Sequence, residues 1–249
     1  MKTLQIIHED QHLIVVNKPA GQLVIPGRGE DKAPLRPPGF EGQGKPLVDQ
    51  VSSYIRKKAY VVHRIDRETS GLVAFAKDAK THRELSMLWE GRPPSPDSGR
   101  KAREQAKASA DSPLLFVSDE GRRVQKIYLA WVLGKMEKKQ GLLDYPLRAF
   151  GSGRIGVDPK GKPSQTRFKV LKTQDGVSLL EVELLTGRRH QIRVHLYHAG
   201  HPILGDPLYG QERPVGGAPR LMLHAWRLLI SFAGKELNLS CDTPTAFYP

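Results

Sequence analysis

From residue 126 onward, strand-like runs follow one another at 126–132, 165–171, 179–184, 225–232 and 235–239, with a single helix-like segment, 190–199, among them. Strands in such succession are joined mainly by hairpins, so the pattern favours an α+β domain on a mixed, largely antiparallel sheet over a doubly wound parallel one. The first half adds a hairpin from the β-branched runs 4–7 and 13–17, leading into Pro19 and Gly21, and an apolar strand at 72–76. Leu47, Val51 and Ile55 recur at fours, which predicts a helix over 47–58, and a second helix is expected over 81–89. The helix at 190–199 stops where Gly200 can cap it and Pro202 forbids continuation. Residues 25–45, rich in Gly and Pro, read as a loop. Between 91 and 113 Pro, Ser, Gly and charge replace the apolar rhythm, which predicts a mobile insertion with a marginal helix at 100–110. The whole chain, 1–249, reads as one domain with flanking helices and loops around a basic cleft.

Charge narrows the partners. Lys and Arg number 39 against 26 Asp and Glu, a formal net charge of +13. The excess is clustered: between 141 and 172, Arg148, Arg154, Lys160, Lys162, Arg167, Lys169 and Lys172 face only Asp144 and Asp158. Residues 185–193 add Arg188, Arg189 and Arg193 without an acid. Such clustering suits a surface that tracks phosphates, the alternative being a solvated basic face. No apolar run reaches the roughly 18 residues of a membrane helix, and neither a leader nor an anchor is expected. Cys241 is the only cysteine, so no intrachain disulfide can form, and a reducing cytoplasm is the expected compartment.

Three stretches combine reactive groups with a constrained backbone. In 63–71 the Asp66 carboxylate lies between Arg64 and Arg67, which favour its ionised form and make it available as nucleophile or base. A carboxylate that merely caps its own turn reads the same way. In 126–132 Tyr128 shares a sheet face with Lys126 and Ala130, fit to stack a nucleobase or to be a half-buried strand tyrosine. In 184–210 Arg193 occupies the first turn of the expected helix, where its guanidinium could hold a carboxylate or phosphate bidentately. His190, His195, His198 and His201 with Asp206 raise a metal reading, but HExxH and a cysteine pair are both missing, and no metal is assigned. Neither GxxxxGK[ST] nor GxGxxG is present, so no nucleotide cofactor is expected. Two other classes remain open at this point: an RNA-binding module without activity, and a metal-dependent nuclease built on the histidines.

Taken in order, VVNKPAGQLVIPG, HRIDRETSGLVAFAK, KIYLAWV and LLTGRRHQIRVHLYHAGHPILGDPLYG resemble the signatures of the RluA-like pseudouridine synthases. The resemblance implies a pseudouridine synthase-like catalytic domain, in the form without an N-terminal S4-type RNA-binding module, that isomerises uridine in structured ribosomal or transfer RNA. It implies no metal or redox cofactor, with Asp66 as the essential carboxylate, Tyr128 as the active-site aromatic and Arg193 as the ion-pair partner of Asp66. Arg64 would occupy or rearrange the space of the flipped nucleotide, and His63, Arg188 and Ile192 would join it in binding substrate. A monomer is expected. Arg189 and Ile25 depart from the pattern, standing where the family usually has Thr and often His.

Overall fold

The computed structural model describes residues 4–26, 45–91, 123–151, 153–210 and 218–247. The expected insertion therefore lies outside the described residues except for Gly91, as does 27–44 of the expected loop.

Strands β1 (Gln5–Glu9) and β2 (Leu13–Lys18) form the first hairpin, and helix α1 (Leu47–Tyr54) follows. α1 ends earlier than its periodicity suggests. Ser52 Oγ bonds back to Val48 O, and Arg56 already adopts a left-handed φ of 53°. After β3 (Tyr60–Val61) and β4 (Ser70–Ala76) comes α2 (Ala79–Trp89), whose start is set by Asp78, accepting from Thr81 N at 2.8 Å. The second half holds β5 (Val124–Leu133), β6 (Gln140–Asp144), β7 (Leu147–Ala149), β8 (Ile155–Val157), β9 (Gln165–Gln174), β10 (Val177–Leu184), α3 (Gln191–His198), β11 (Leu223–Phe232) and β12 (Lys235–Ser240). A short 3-10 turn, Thr245–Phe247, ends the described chain.

Ten of these strands form one sheet in the order β1-β2-β4-β11-β5-β10-β9-β6, with β12 added on β11 and β3 on β4; β7 and β8 pair separately. Every pairing in the sheet is antiparallel except that of β4 with β11, where Ser70 faces His224 and Gly71 faces Ala225. The mixed, largely antiparallel α+β architecture expected above is thus the one observed. The two-residue loop Asp175–Gly176, with φ of 49° and 76°, closes the β9–β10 hairpin, because positive φ at both positions matches the twist of the paired strands. The strands missed in the sequence, β3, β6, β7 and β8, are short and carry no clear alternation.

Both faces of the sheet centre are covered, and residue parity decides which core each side chain enters. Ile14, Val16, Val73 and Phe75 join Leu47 and Val51 of α1 and Ile192 and Leu196 of α3 in one core. Leu13, Val15, Leu72, Ala74 and Ala76 join Leu85 and Leu88 of α2 in the other. Strands buried on both faces read as continuous apolar runs, which is why β2 and β4 stood out in the sequence. Gly71 sits at the single parallel junction with φ of 112°, and a Cβ there would lie 2.2 Å from Ala225 O. Gly71→Ala should cost at least about 3 kcal/mol of stability, since backbone strain and a backbone clash add at a site with no room to relax. Urea unfolding of the two proteins measures it.

Candidate active site

Four adjacent strands, β4, β11, β5 and β10, bring the candidate residues to one place. Gly71 of β4 faces Ala225 of β11, Ala225 faces Tyr128 of β5, and Tyr128 faces Val182 of β10, so Tyr128 stands beside the start of β4. Asp66 lies in the turn just before β4, with Thr69 N bonded to its carbonyl at 3.2 Å. β10 then runs through residues 185–190 into α3, which places Arg193 opposite that turn.

The loop before α3 is pinned by one amide. Gln191 Oε1 accepts from Thr186 Oγ1 (2.8 Å) and Arg188 N (3.0 Å), while its Nε2 donates to Gln165 O and Thr166 Oγ1. So held, His190 takes a left-handed φ of 54° at the helix start. On the other wall, the buried Lys18 donates its three N–H bonds to the carbonyls of Pro19, Gln22 and Arg67 at 2.9–3.0 Å. Gly21 N also bonds Arg67 O. The loop after β2 is thereby tied to the residue that follows Asp66. Burial pushes the Lys18 ammonium down to about 7.

Arg193 is 1% exposed and faces carboxylates on every polar side. Its Nη1 donates to Asp66 Oδ2 at 3.1 Å and lies 3.8 Å from Glu68 Oε2; its Nε and Nη2 grip both oxygens of Asp206 at 2.8 and 2.7 Å. Burial opposes the charge, but the hydrogen bonds and fields of Asp206 and then Asp66 hold the guanidinium above its ordinary value. Asp206 is likewise held below its ordinary 3.8 against the effect of its own burial, by Arg193 and by the backbone N–H groups of Leu208 and Tyr209. Asp66, by contrast, keeps 24% of its side chain exposed. One carboxylate is locked away as a counterion, and the other is oriented by the same cation yet remains open.

Asp66 opens into a recess of about 60 Å³, space for a few waters, lined also by Arg64, Tyr128, Arg188, His190 and Ile192. Tyr128 is 6% exposed; burial first, and Asp66 second, raise its hydroxyl well above the ordinary value, so it stays protonated at neutral pH. Burial pushes His190 down to about 4 and leaves it neutral, with Nε2 at 3.9 Å from Asp66 Oδ1. Arg64 and Arg188 are exposed.

Of the residues singled out in the sequence, Asp66, Tyr128, Arg193, Arg64, Arg188 and Ile192 meet at this recess. His63 does not. Its ring stacks on Trp89 at 5.1 Å and its Nε2 accepts from Ala74 N at 3.1 Å, which places the side chain behind the turn and not at the recess. Burial holds that ring neutral, at about 3. The histidines of 190–201 disperse rather than converge: His195 bonds Tyr145 O, His201 bonds Leu133 O and His190 bonds the Tyr209 hydroxyl. Asp206, weighed in the sequence only as a metal ligand, is instead the anchor of Arg193. A signal for it existed, since it is the first acid after Glu183 and a buried arginine in between needs a counterion.

A profile of the RNA pseudouridylate synthase family matches residues 12–96 and 104–198. The chain is 36% identical to the ribosomal large subunit pseudouridine synthase D of Nitrosomonas europaea, over 97% of this chain and 62% of that protein. It is 31% identical to the dual-specificity RNA pseudouridine synthase RluA of Escherichia coli, over 98% of this chain and 94% of that one. Among solved structures, human RNA pseudouridylate synthase domain containing 1 superposes with a TM-score of 0.70 at 23% identity, over 98% of this chain and 84% of that one, a likeness of fold.

Asp206→Asn should cost about 3 kcal/mol, because it leaves a buried guanidinium short of its counterion. The folded-state value of Asp206 is depressed, so its contribution is fully present above about pH 4 and is lost as pH falls through the lower folded value. The variant should accordingly show a flatter acid limb, measured by urea unfolding at pH 7 and pH 3.

Proposed function

The chain belongs to the RNA pseudouridylate synthase family, a family of isomerases, and from that premise we propose that it converts uridine to pseudouridine in structured ribosomal or transfer RNA, with Asp66 as the essential carboxylate. The observation that carries the reading is the open Asp66 carboxylate, oriented at 3.1 Å by an arginine that is itself locked to a second acid. Such an arrangement fixes one oxygen and leaves the other free to meet a ribose.

A uracil in a folded RNA must leave its stack before its glycosidic bond can break, and unstacking costs a few kcal/mol. The recess is smaller than a nucleotide, so the exposed Arg64 and Arg188 at its lining move aside, Arg64 toward the space the base vacates and Arg188 toward phosphate. Tyr128 offers a flat, protonated ring against the flipped base, and Ile192 supplies an apolar wall. Asp66 then either attacks the ribose anomeric carbon, to be displaced when the new bond forms, or takes a ribose proton and later returns it; the N–C bond breaks, the ring turns, a C–C bond forms from the uracil C5 to the same sugar carbon, and the proton lost from C5 is balanced by one gained at the freed N1. All atoms of the substrate are retained, so the net reaction consumes no oxidant, reductant or second substrate. Basic side chains outside the recess hold phosphates and fix register, leaving selection chiefly to RNA shape. Such a protein works as a monomer in the cytoplasm.

Asp66→Asn should keep fold and RNA affinity while lowering single-turnover isomerisation on the order of 10⁴-fold, because an amide is neither nucleophile nor base. Chemical mapping of pseudouridine in RNA from cells with and without the gene supplies the substrate; normal turnover by the folded variant would overturn the assignment. Arg193→Lys should lower the saturated rate on the order of 10²-fold, since an ammonium cannot bridge Asp66 and Asp206 at once. Arg189→Lys, at an exposed position, should leave that rate unchanged.

A further inference from the structure

A second recess, of about 400 Å³, opens where the β7–β8 segment meets the exposed end of α3. Its walls are Phe150, Arg154, Tyr197, His198 and Tyr209, over a floor that includes Val194. Phe150 and Tyr197 are each 46% exposed, which places two costly aromatic surfaces in one concavity. The Phe150 ring lies where a side chain at residue 156 would have to go: a Cβ on Gly156 would come within 2.8 Å of it. The Arg154 guanidinium lies over the Tyr209 ring at 5.2 Å. Arg148, Lys160 and Lys162 stand exposed on the same segment, where Asp158 is the one acid and pairs with Arg148 at 3.3 Å. These residues belong to the basic cluster singled out in the sequence, and none of them lines the recess at Asp66.

Tyr209 joins this recess to the active site. Its hydroxyl accepts from Ile155 N at 3.1 Å and meets His190 Nδ1 at 2.9 Å. The assignment that pairs every group gives the hydroxyl proton to Nδ1 and leaves Nε2–H facing Asp66. Arg193 also lies over the Tyr209 ring, at 5.3 Å. An occupant of the second recess is thus one side chain away from the ion pair that orients Asp66.

We propose that the second recess binds an unpaired nucleobase of the RNA substrate, at a nucleotide near the one isomerised, by stacking on Phe150 and Tyr197 while the adjoining cations hold its phosphates. Exposed rings beside cations are the pairing that single-stranded RNA recognition uses. The proposal rests on the reading of the chain as an RNA-modifying enzyme.

The test compares an oligouridylate of about ten nucleotides with an abasic strand of equal length, which has the same phosphates but nothing to stack. The double variant Phe150→Ala, Tyr197→Ala should bind the oligouridylate about tenfold or more weakly and the abasic strand as the wild type does. The ring-conserving pair Phe150→Tyr, Tyr197→Phe should restore affinity. On the RNA substrate the loss should fall on affinity, with the single-turnover rate at saturating enzyme unchanged. Equal losses on both strands, or no loss on either, overturns the proposal. If the wild-type chain isomerises RNA but the ringless variant binds oligouridylate normally, the recess proposal alone fails. If the wild type isomerises no RNA yet still binds oligouridylate through these rings, the isomerase reading fails and the recess stands as an RNA site.

Discussion

One buried guanidinium organises the centre of this protein. Taking an arginine out of water costs several kcal/mol unless every polar edge is met, and Arg193 meets that demand with Asp206 on one edge and Asp66 on another. The three partners come from distant parts of the chain: the turn before β4, the first turn of α3, and the segment after it. Because Asp206 is itself fixed by backbone N–H groups of Leu208 and Tyr209, the guanidinium cannot turn to suit Asp66. Asp66 must take its place from Arg193. This asymmetry turns a structural ion pair into a device for aiming a carboxylate.

Neighbouring polar groups extend the same logic outward. The left-handed conformation of His190 costs strain, which the bonds of Gln191 and Tyr209 around it offset. Lys18 performs the equivalent task on the opposite wall, closing three carbonyls around an ammonium so that the residue after Asp66 cannot drift. Elsewhere, Ser70, His224 and Arg220 form a buried chain of hydrogen bonds beside the parallel β4–β11 junction, and burial pushes the Cys241 thiol next to it up to about 12. The serine, histidine and cysteine in contact there are buried, and the thiol stays protonated at neutral pH, which suits packing and not nucleophilic chemistry.

Much of the fold was legible in the sequence. The apolar runs of β2 and β4, the strand succession of the second half and the stop of α3 before Gly200 could all be seen, because burial on two faces and backbone geometry write themselves into local composition. The short strands β3, β6, β7 and β8 could not, since their pairing with neighbours, not their own residues, makes them strands. At the site, Asp66, Tyr128 and Arg193 were singled out by residue type and motif. That His63 stacks on Trp89 behind the turn could not be read, because a motif says which residues are near in sequence and not which way a ring turns. Asp206 drew notice only beside the histidines, in a metal reading that was not adopted, and its true partner, Arg193, stayed hidden because the burial of that arginine has no mark in the local sequence.

What the sequence determined by itself was the class of fold, a clustered excess of basic residues and the family signatures, all properties of local pattern and charge that survive without knowing any distance. Only the tertiary structure decided that Asp66 stays open while Asp206 is locked, that His190, His195 and His201 hydrogen-bond separate partners, and that Phe150 and Tyr197 share one recess with Tyr209. Each of these depends on groups from separate elements meeting in space, and such an interaction exists only once the packing of the domain has set their separation.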